Sequence, residues 1–192
     1  MKNILTMKYL QKFKMFENNS PLLELSDNVD SELIYKIRGL ISNGKILEIS
    51  CGNGSDSIEL SKLGFDVTAT DTCDDYVKYV NSKGVKCINH DTSKKLPFND
   101  NEFDLIYSRL GLHYFTKEEL ELIFEELSRI TKKYLVFTVK LVNDIPTGKV
   151  ILDDATWKNL VSNNFDIIES NIKEGILYNN QSKWLEIFAK KK

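Results

Sequence analysis

The chain has 192 residues, enough for one α/β domain with a full core and too few for two ordinary ones. Its 26 Lys and Arg against 28 Asp and Glu leave a formal charge of −2, so no global basic field draws it onto nucleic acid. Cys51, Cys73 and Cys87 are odd in number and form no C-x-x-C pair, which argues against a disulfide framework or structural zinc and for reduced thiols in a cytosol. No run approaches the ~20 apolar residues of a membrane span, and the first residues lack the apolar run of a signal peptide. The expectation is one cytoplasmic domain over residues 1–192, with neither membrane nor nucleic acid as partner.

Residues 1–30 hold Tyr9-Leu10-Gln11-Lys12-Phe13-Lys14-Met15-Phe16, whose apolar and aromatic residues fall partly at helical spacing. This segment is a candidate lid, with Tyr9 a candidate substrate contact; packing on the sheet edge explains it equally well. From residue 31 the pattern alternates between helical periodicity and short β-rich runs, the signature of βαβ units around a mostly parallel sheet. Leu33, Ile34, Ile37 and Leu40 share one helix face, and Gly44 is expected to close that helix as its C′ residue. Strands are expected at 45–50, 65–70, 85–90, 103–107 and 134–139, each short and apolar as buried parallel strands are. Helices are expected over about 56–63, ending at Gly64, and from Asp71 to Gly84. Thr116-Lys117-Glu118-Glu119 is a capping box, followed by Leu120, Ile123, Phe124, Leu127 and Ile130 at helical spacing. A helix around 153–162 then gives way to β-like runs at 165–174 and 184–190. The turn-rich 179–182 leaves no room for a helix between them, so they are expected to pair antiparallel as an edge hairpin.

The most informative stretch is Lys45-Ile46-Leu47-Glu48-Ile49-Ser50-Cys51-Gly52-Asn53-Gly54, a strand carrying a carboxylate that breaks into a glycine turn. Gly52 and Gly54 permit positive φ and close backbone approach, and the following helix would aim its first N–H groups at a ligand. In an open α/β sheet, ligands bind outside the carboxyl ends of the strands. Asp71 ends the second strand, where a carboxylate can accept from ribose hydroxyls; capping the next helix is its structural alternative. Asp91 ends the third strand, where it suits an exocyclic amine or a surface turn. Glu48 lies inside an apolar strand, where an unpaired charge would cost several kcal/mol, so it needs a cationic ligand or donors from the glycine turn. A dinucleotide fingerprint aligned on Gly52 and Gly54 requires glycine at 57, where Ser57 stands, so a nicotinamide-dependent oxidoreductase is disfavoured.

With these residues in place, positions 31–140 resemble the class I S-adenosylmethionine-dependent methyltransferases, small-molecule members of the type 11 and type 25 groups in particular. The stretch 47–54 resembles the family's first motif and Ala69-Thr70-Asp71 its second. His90-Asp91-Thr92 with 96–106 resembles the third and fourth, and 107–115 the segment after strand four. The resemblance implies an α/β, Rossmann-like three-layer sandwich with a seven-stranded, mostly parallel sheet in order 3-2-1-4-5-7-6 and strand 7 antiparallel. It implies S-adenosylmethionine as cofactor, with Gly52 and Gly54 lining the methionine part together with Ser50 and Cys51, and Glu48 shaping the loop. Asp71 and Thr72 would serve the ribose, Asp91 and Thr92 the adenine, and Ser108 and Arg109 would close beside the transferred methyl. Ser50 departs from the motif, whose first glycine it replaces.

A sulfonium already activates its methyl group, so alignment and water exclusion are the main demands on the protein. His113 is the candidate base if the acceptor carries a proton, and Tyr114 a candidate pocket wall. No Asn/Asp-Pro-Pro-Tyr/Phe segment follows strand four, and the segment 141–152 is short, which favours a small-molecule acceptor. The competing reading from another class is a cofactor-binding module without turnover, which Ser50 motivates.

Overall fold

Short apolar runs flanked by glycine turns and helix caps build a seven-stranded sheet in this computed structural model, which describes residues 29–141, 152–177 and 180–192. In chain order the elements are α1 (Ser31–Leu40), β1 (Lys45–Ile49), α2 (Ser55–Lys62), β2 (Asp66–Asp71), α3 (Asp74–Ser82) and β3 (Lys86–Asn89). They continue with β4 (Phe103–Arg109), a single 3-10 turn (Leu112–Tyr114), α4 (Lys117–Ile130), β5 (Thr131–Lys140), α5 (Asp154–Ser162), β6 (Phe165–Leu177) and β7 (Asn180–Lys191). The strand order is β3-β2-β1-β4-β5-β7-β6. β1 to β5 pair in parallel, and β7 runs antiparallel to both β5 and β6. This is the expected topology, with the hairpin at one edge.

Alternation along the central strands divides the core between the two faces. Ile46, Leu105, Tyr107 and Val136 pack with Leu33, Ile34 and Ile37 of α1, Leu60 of α2 and Val80 of α3. Leu47, Ile49, Ile106 and Leu135 pack on the other face with Leu120, Ile123, Phe124 and Leu127 of α4 and Trp157, Leu160 and Val161 of α5. The reversal of strand order falls between β1 and β4, so the turns following those two strands meet at the carboxyl edge of the sheet.

The capping box is present as expected: Thr116 Oγ1 accepts from the Glu119 N–H at 3.2 Å, and the Glu119 carboxylate accepts from the Thr116 N–H at 2.8 Å. α5 begins at its own cap, Asp153, whose carboxylate accepts from the Thr156 N–H at 2.7 Å. α1 departs from expectation, ending at Leu40 because Ile41 turns extended (φ −138°, ψ 136°) and buries its side chain. Gly44 serves the entry to β1 instead. Its φ is +129°, and a Cβ there would come within 2.6 Å of the Asp104 carboxylate, which accepts from the Lys45 N–H at 3.1 Å. The hairpin strands extend further than their composition suggests, with Leu177 paired to Asn180. Tyr9 and the candidate lid fall outside the described residues.

Candidate functional site

β1 delivers Glu48 to the carboxyl edge fully buried, at 3% exposure, and the local fold answers its charge with the first turn of α2. Both the Ser57 hydroxyl and the Ser57 backbone N–H donate to Glu48. Burial, reinforced by the nearby Asp56 carboxylate, pushes the Glu48 carboxyl up to about 8, so the strand carries a neutral acid near pH 7. Ser57 therefore occupies the position where a dinucleotide fingerprint wants glycine, and uses it to satisfy Glu48. The helix N-terminus is correspondingly engaged with protein: Ser55 N–H donates to Asn53 Oδ1 at 3.3 Å, and Ser57 N–H is spent on Glu48. The expectation that these groups face a ligand is corrected for those two donors, because short polar side chains beside the turn reach them first.

Asp56, in the same helical turn, is 1% exposed and gathers three elements. Its Oδ2 accepts from the Tyr107 hydroxyl at 2.7 Å and pairs with Arg109 Nε, both on β4, while its Oδ1 accepts from the Asp30 N–H at 3.3 Å. Burial, then the Asp56 and Glu48 carboxylates, push the Tyr107 hydroxyl well above its ordinary value and keep it a donor. Arg109 thus reaches the glycine-turn region through Asp56. Sequence reading missed Asp56 and Tyr107. The signal available was the buried-strand Arg109, which needs an anion, and the one acid in the first turn of α2.

The glycine turn is held from below by β2. Asp71 is buried, with Oδ2 accepting from the Gly52 N–H at 2.8 Å and Oδ1 from the Cys73 N–H at 2.9 Å. Burial raises its carboxyl above the ordinary range, against the opposing pull of the Cys73, Gly52 and Thr72 N–H groups. These three N–H groups leave the carboxylate acceptor capacity for a ligand hydroxyl. The two glycines have different reasons to be glycine. At Gly52 (φ +56°) no described atom lies within 4 Å of an added Cβ, so the position faces open space; at Gly54 (φ +68°) a Cβ would run into Val80 of α3.

The remaining predicted residues fall around this edge. Cys51 is buried with its Sγ 3.9 Å from that of Cys87. Thr72 is exposed, and its carbonyl accepts from Asn89 Nδ2 at 3.2 Å. Asp91 is exposed and closes a surface turn through the Ser93 N–H at 2.9 Å, while Thr92 beside it is buried. Ser50 adopts φ +54°, in the left-handed region that favours glycine, and Ser108 is fully buried. His113, in the 3-10 turn after β4, is 1% exposed, and its ring stacks on Tyr114 with centroids 4.7 Å apart. Burial pushes the Tyr114 hydroxyl up. Among the described residues no group of three or more His, Cys, Asp or Glu side chains is arranged to hold a metal ion, and no helix is long and apolar enough to cross a membrane.

Sheet order, switch point and glycine turn define a class I methyltransferase fold. Residues 46–134 match the family described as "Methyltransferase domain". Among solved structures the chain is similar to TehB from Haemophilus influenzae, with TM-score 0.75 and 20% identity over 86% of this chain and 63% of that one. It is also similar to a TehB-like S-adenosylmethionine-dependent methyltransferase from Corynebacterium glutamicum, with TM-score 0.69 and 19% identity over 97% of each chain. A third similar structure is magnesium protoporphyrin IX methyltransferase from Synechocystis with bound S-adenosylmethionine, with TM-score 0.67 and 17% identity over 85% of this chain and 77% of that one. At those identities the likeness is one of fold. A curated relative, an uncharacterised methyltransferase of Synechocystis, is 26% identical over 97 residues, which are 50% of this chain and 45% of that protein. The match thus spans less than half of that relative's length. Residues 46–134 thus match a methyltransferase domain, and the described residues have the fold of the class I S-adenosylmethionine-dependent methyltransferases.

Proposed function

We propose that the protein binds S-adenosylmethionine at the carboxyl edge of β1, β2 and β4 and transfers its methyl group to a small molecule, leaving S-adenosylhomocysteine. The observation that carries this reading is the turn after β1, where the Gly52 N–H is fixed by Asp71 while the Gly52 α-carbon faces open space. The residues fit the cofactor. Asp71 offers remaining lone pairs to ribose hydroxyls, Asp91 and Thr92 stand one strand further along for the adenine, and the fully buried Ser108 hydroxyl has no hydrogen-bond partner among the described residues. Thr72, exposed after Asp71, flanks the ribose subsite, and Cys51 supports the turn from the core side.

When bound, the cofactor supplies a methyl group already activated on a sulfonium. The chain's own residues would position and shield. Glu48, held neutral by burial and the nearby Asp56 carboxylate against the pull of the Ser57 donors, adds no buried negative charge under the turn, and the Asp56–Arg109 pair ties the end of β4 to the start of α2 so that both turns keep their spacing. His113 is the candidate base for an acceptor that must lose a proton, and Tyr114, stacked on it, a candidate wall of the acceptor pocket. Similar structures include magnesium protoporphyrin IX methyltransferase, named for a small-molecule substrate, which supports that class of acceptor. The described residues include no inserted domain for gripping a macromolecule.

The test is to incubate the protein with methyl-labelled S-adenosylmethionine and a panel of small hydroxyl, amine, thiol and carboxylate compounds, alongside protein and nucleic-acid fractions. Label moving to a small molecule with matching release of S-adenosylhomocysteine is the expected result. Cofactor binding without transfer to any member would favour a binding module, the reading that Ser50 in place of the motif's first glycine motivates.

A further inference from the structure

Cys51 follows β1 and Cys87 lies in β3, with β2 between them in the sheet, yet their sulfurs are only 3.9 Å apart. The intervening strand makes room. Ala69 of β2 is paired with Cys87 in the register and packs in the same cluster as both cysteines, and its single methyl group lets the two thiols lean together across the strand. With Cys51 donating, the thiol–thiol hydrogen bond holds the Cys87 thiol below its ordinary value, while that bond and burial push the Cys51 thiol up. Cys87 is the readier nucleophile of the two.

The partners are anchored unequally. The Cys87 N–H donates to Asn81 Oδ1 at 3.1 Å and its carbonyl accepts from Asn81 Nδ2 at 2.8 Å, within a strand paired to β2. Cys51 begins the glycine turn: its N–H donates to the Thr70 carbonyl at 3.0 Å, and its carbonyl accepts from the Gly54 N–H at 3.0 Å, a bond inside the turn that moves with it. A disulfide requires the sulfurs to close from 3.9 Å to about 2.05 Å, and the turn is the side that can yield. The next residue is Gly52, whose N–H is held by Asp71.

We propose that Cys51 and Cys87 are a modification site, a dithiol that peroxides convert to a reversible disulfide, and that closing it draws the glycine turn toward β3 and weakens the donor site. The disulfide is independent of the S-adenosylmethionine reading; its effect on the donor rests on that reading. The Cys87 thiolate attacks one oxygen of hydrogen peroxide, the O–O bond breaks, and the other oxygen leaves as hydroxide, which is protonated to water. The Cys51 sulfur then attacks the Cys87 sulfenic acid, forming the S–S bond and expelling the second hydroxide, which leaves as water with the Cys51 proton. Two thiols are oxidised and one peroxide is reduced to two waters. The oxidant has a way in, since Cys51 and Cys87 retain 9% and 7% exposure and the space beside the Gly52 α-carbon is open.

The test treats the full chain with hydrogen peroxide and maps its three cysteines by alkylation and peptide mass spectrometry. A Cys51–Cys87 linked peptide, lighter than its two parts by two hydrogens and released by dithiothreitol, is expected, with Cys73 still open to alkylation. Three intact thiols, a link through Cys73, or sulfinic acid without a link would overturn the site. Calorimetric titration of the linked protein with S-adenosylhomocysteine is expected to show affinity about tenfold weaker, recovered on reduction, as for hydrogen bonds lost where the turn leaves Asp71. Cys87→Ser, which cannot form the link, is expected to bind equally before and after peroxide. Linked protein with unchanged affinity, or the same loss in Cys87→Ser, would overturn the effect on the turn. If the reduced protein does not bind S-adenosylhomocysteine, the donor reading and the effect on it fail together, while the peptide map still decides the disulfide.

Discussion

Two buried glutamates, one on each side of the sheet's centre, meet the same physical problem with opposite solutions. Glu48 on β1 is given neutral hydroxyl and amide donors and is pushed up to about 8, whereas Glu186 on β7, at 1% exposure, is given cations. Lys36 of α1 reaches Glu186 at 3.5 Å and Lys173 of β6 at 3.2 Å, and both lysines extend outward to Glu32 and Glu169 or Glu32 alone. The difference follows position. Lysines can reach the hairpin edge while keeping their ammonium groups near water, but the carboxyl edge between β1 and β4 must stay clear for a ligand, so its acids are held by short groups of the turn itself. One region spends charge on fastening α1 to the hairpin. The other suppresses charge to keep a site open.

The comparison breaks most visibly at Glu186. Replacing both Lys36 and Lys173 by Met should cost about 3 kcal/mol in urea unfolding at neutral pH, because a buried carboxylate loses its cations. A loss below about 0.5 kcal/mol would show that the cluster is a solvated surface network.

At the other region, Asp71→Ala should weaken S-adenosylhomocysteine by about 1.5–3 kcal/mol in calorimetry, since it removes both the ribose acceptor and the anchor of the Gly52 N–H. Unchanged affinity would remove Asp71 from the site. Glu48→Gln sharpens the contrast through pH. With its carboxyl raised to about 8 in the folded state, Glu48 stabilises most below the ordinary glutamate range and loses that contribution as pH rises through 8. Melting temperatures measured from pH 5 to 9 should therefore fall less in Glu48→Gln than in the wild type, and parallel curves would contradict the neutral-acid account. The smallest effect is expected at the capping box, where Thr116→Ala should cost about 1 kcal/mol of stability and leave cofactor affinity alone.

How far the sequence could be read follows the range of the interactions. The Thr116–Glu119 box and the short apolar run of β1 are signals within one turn or one strand, and each stands as expected. Gly44 misled because a glycine near a helix end suggests a C′ residue, whereas its neighbour in space is Asp104, sixty residues on in the next strand but two. The need of Glu48 for a partner was legible from its apolar strand; that the partner is Ser57 depends on how the turn folds back. Asp91 carried two readings, a ligand amine or a surface turn, and its Oδ1 closes such a turn through the Ser93 N–H. Gly111 offered no local signal at all, since what it accommodates is Ser50, brought beside it only when β1 and β4 pair.

Calorimetric titration of the wild-type protein with S-adenosylhomocysteine decides whether the turn fixed by Asp71 is an S-adenosyl site. Saturable binding to one site per chain, displaced by S-adenosylmethionine and unaffected by a nicotinamide dinucleotide, is the predicted result. Absence of binding at millimolar ligand with a folded protein would contradict it.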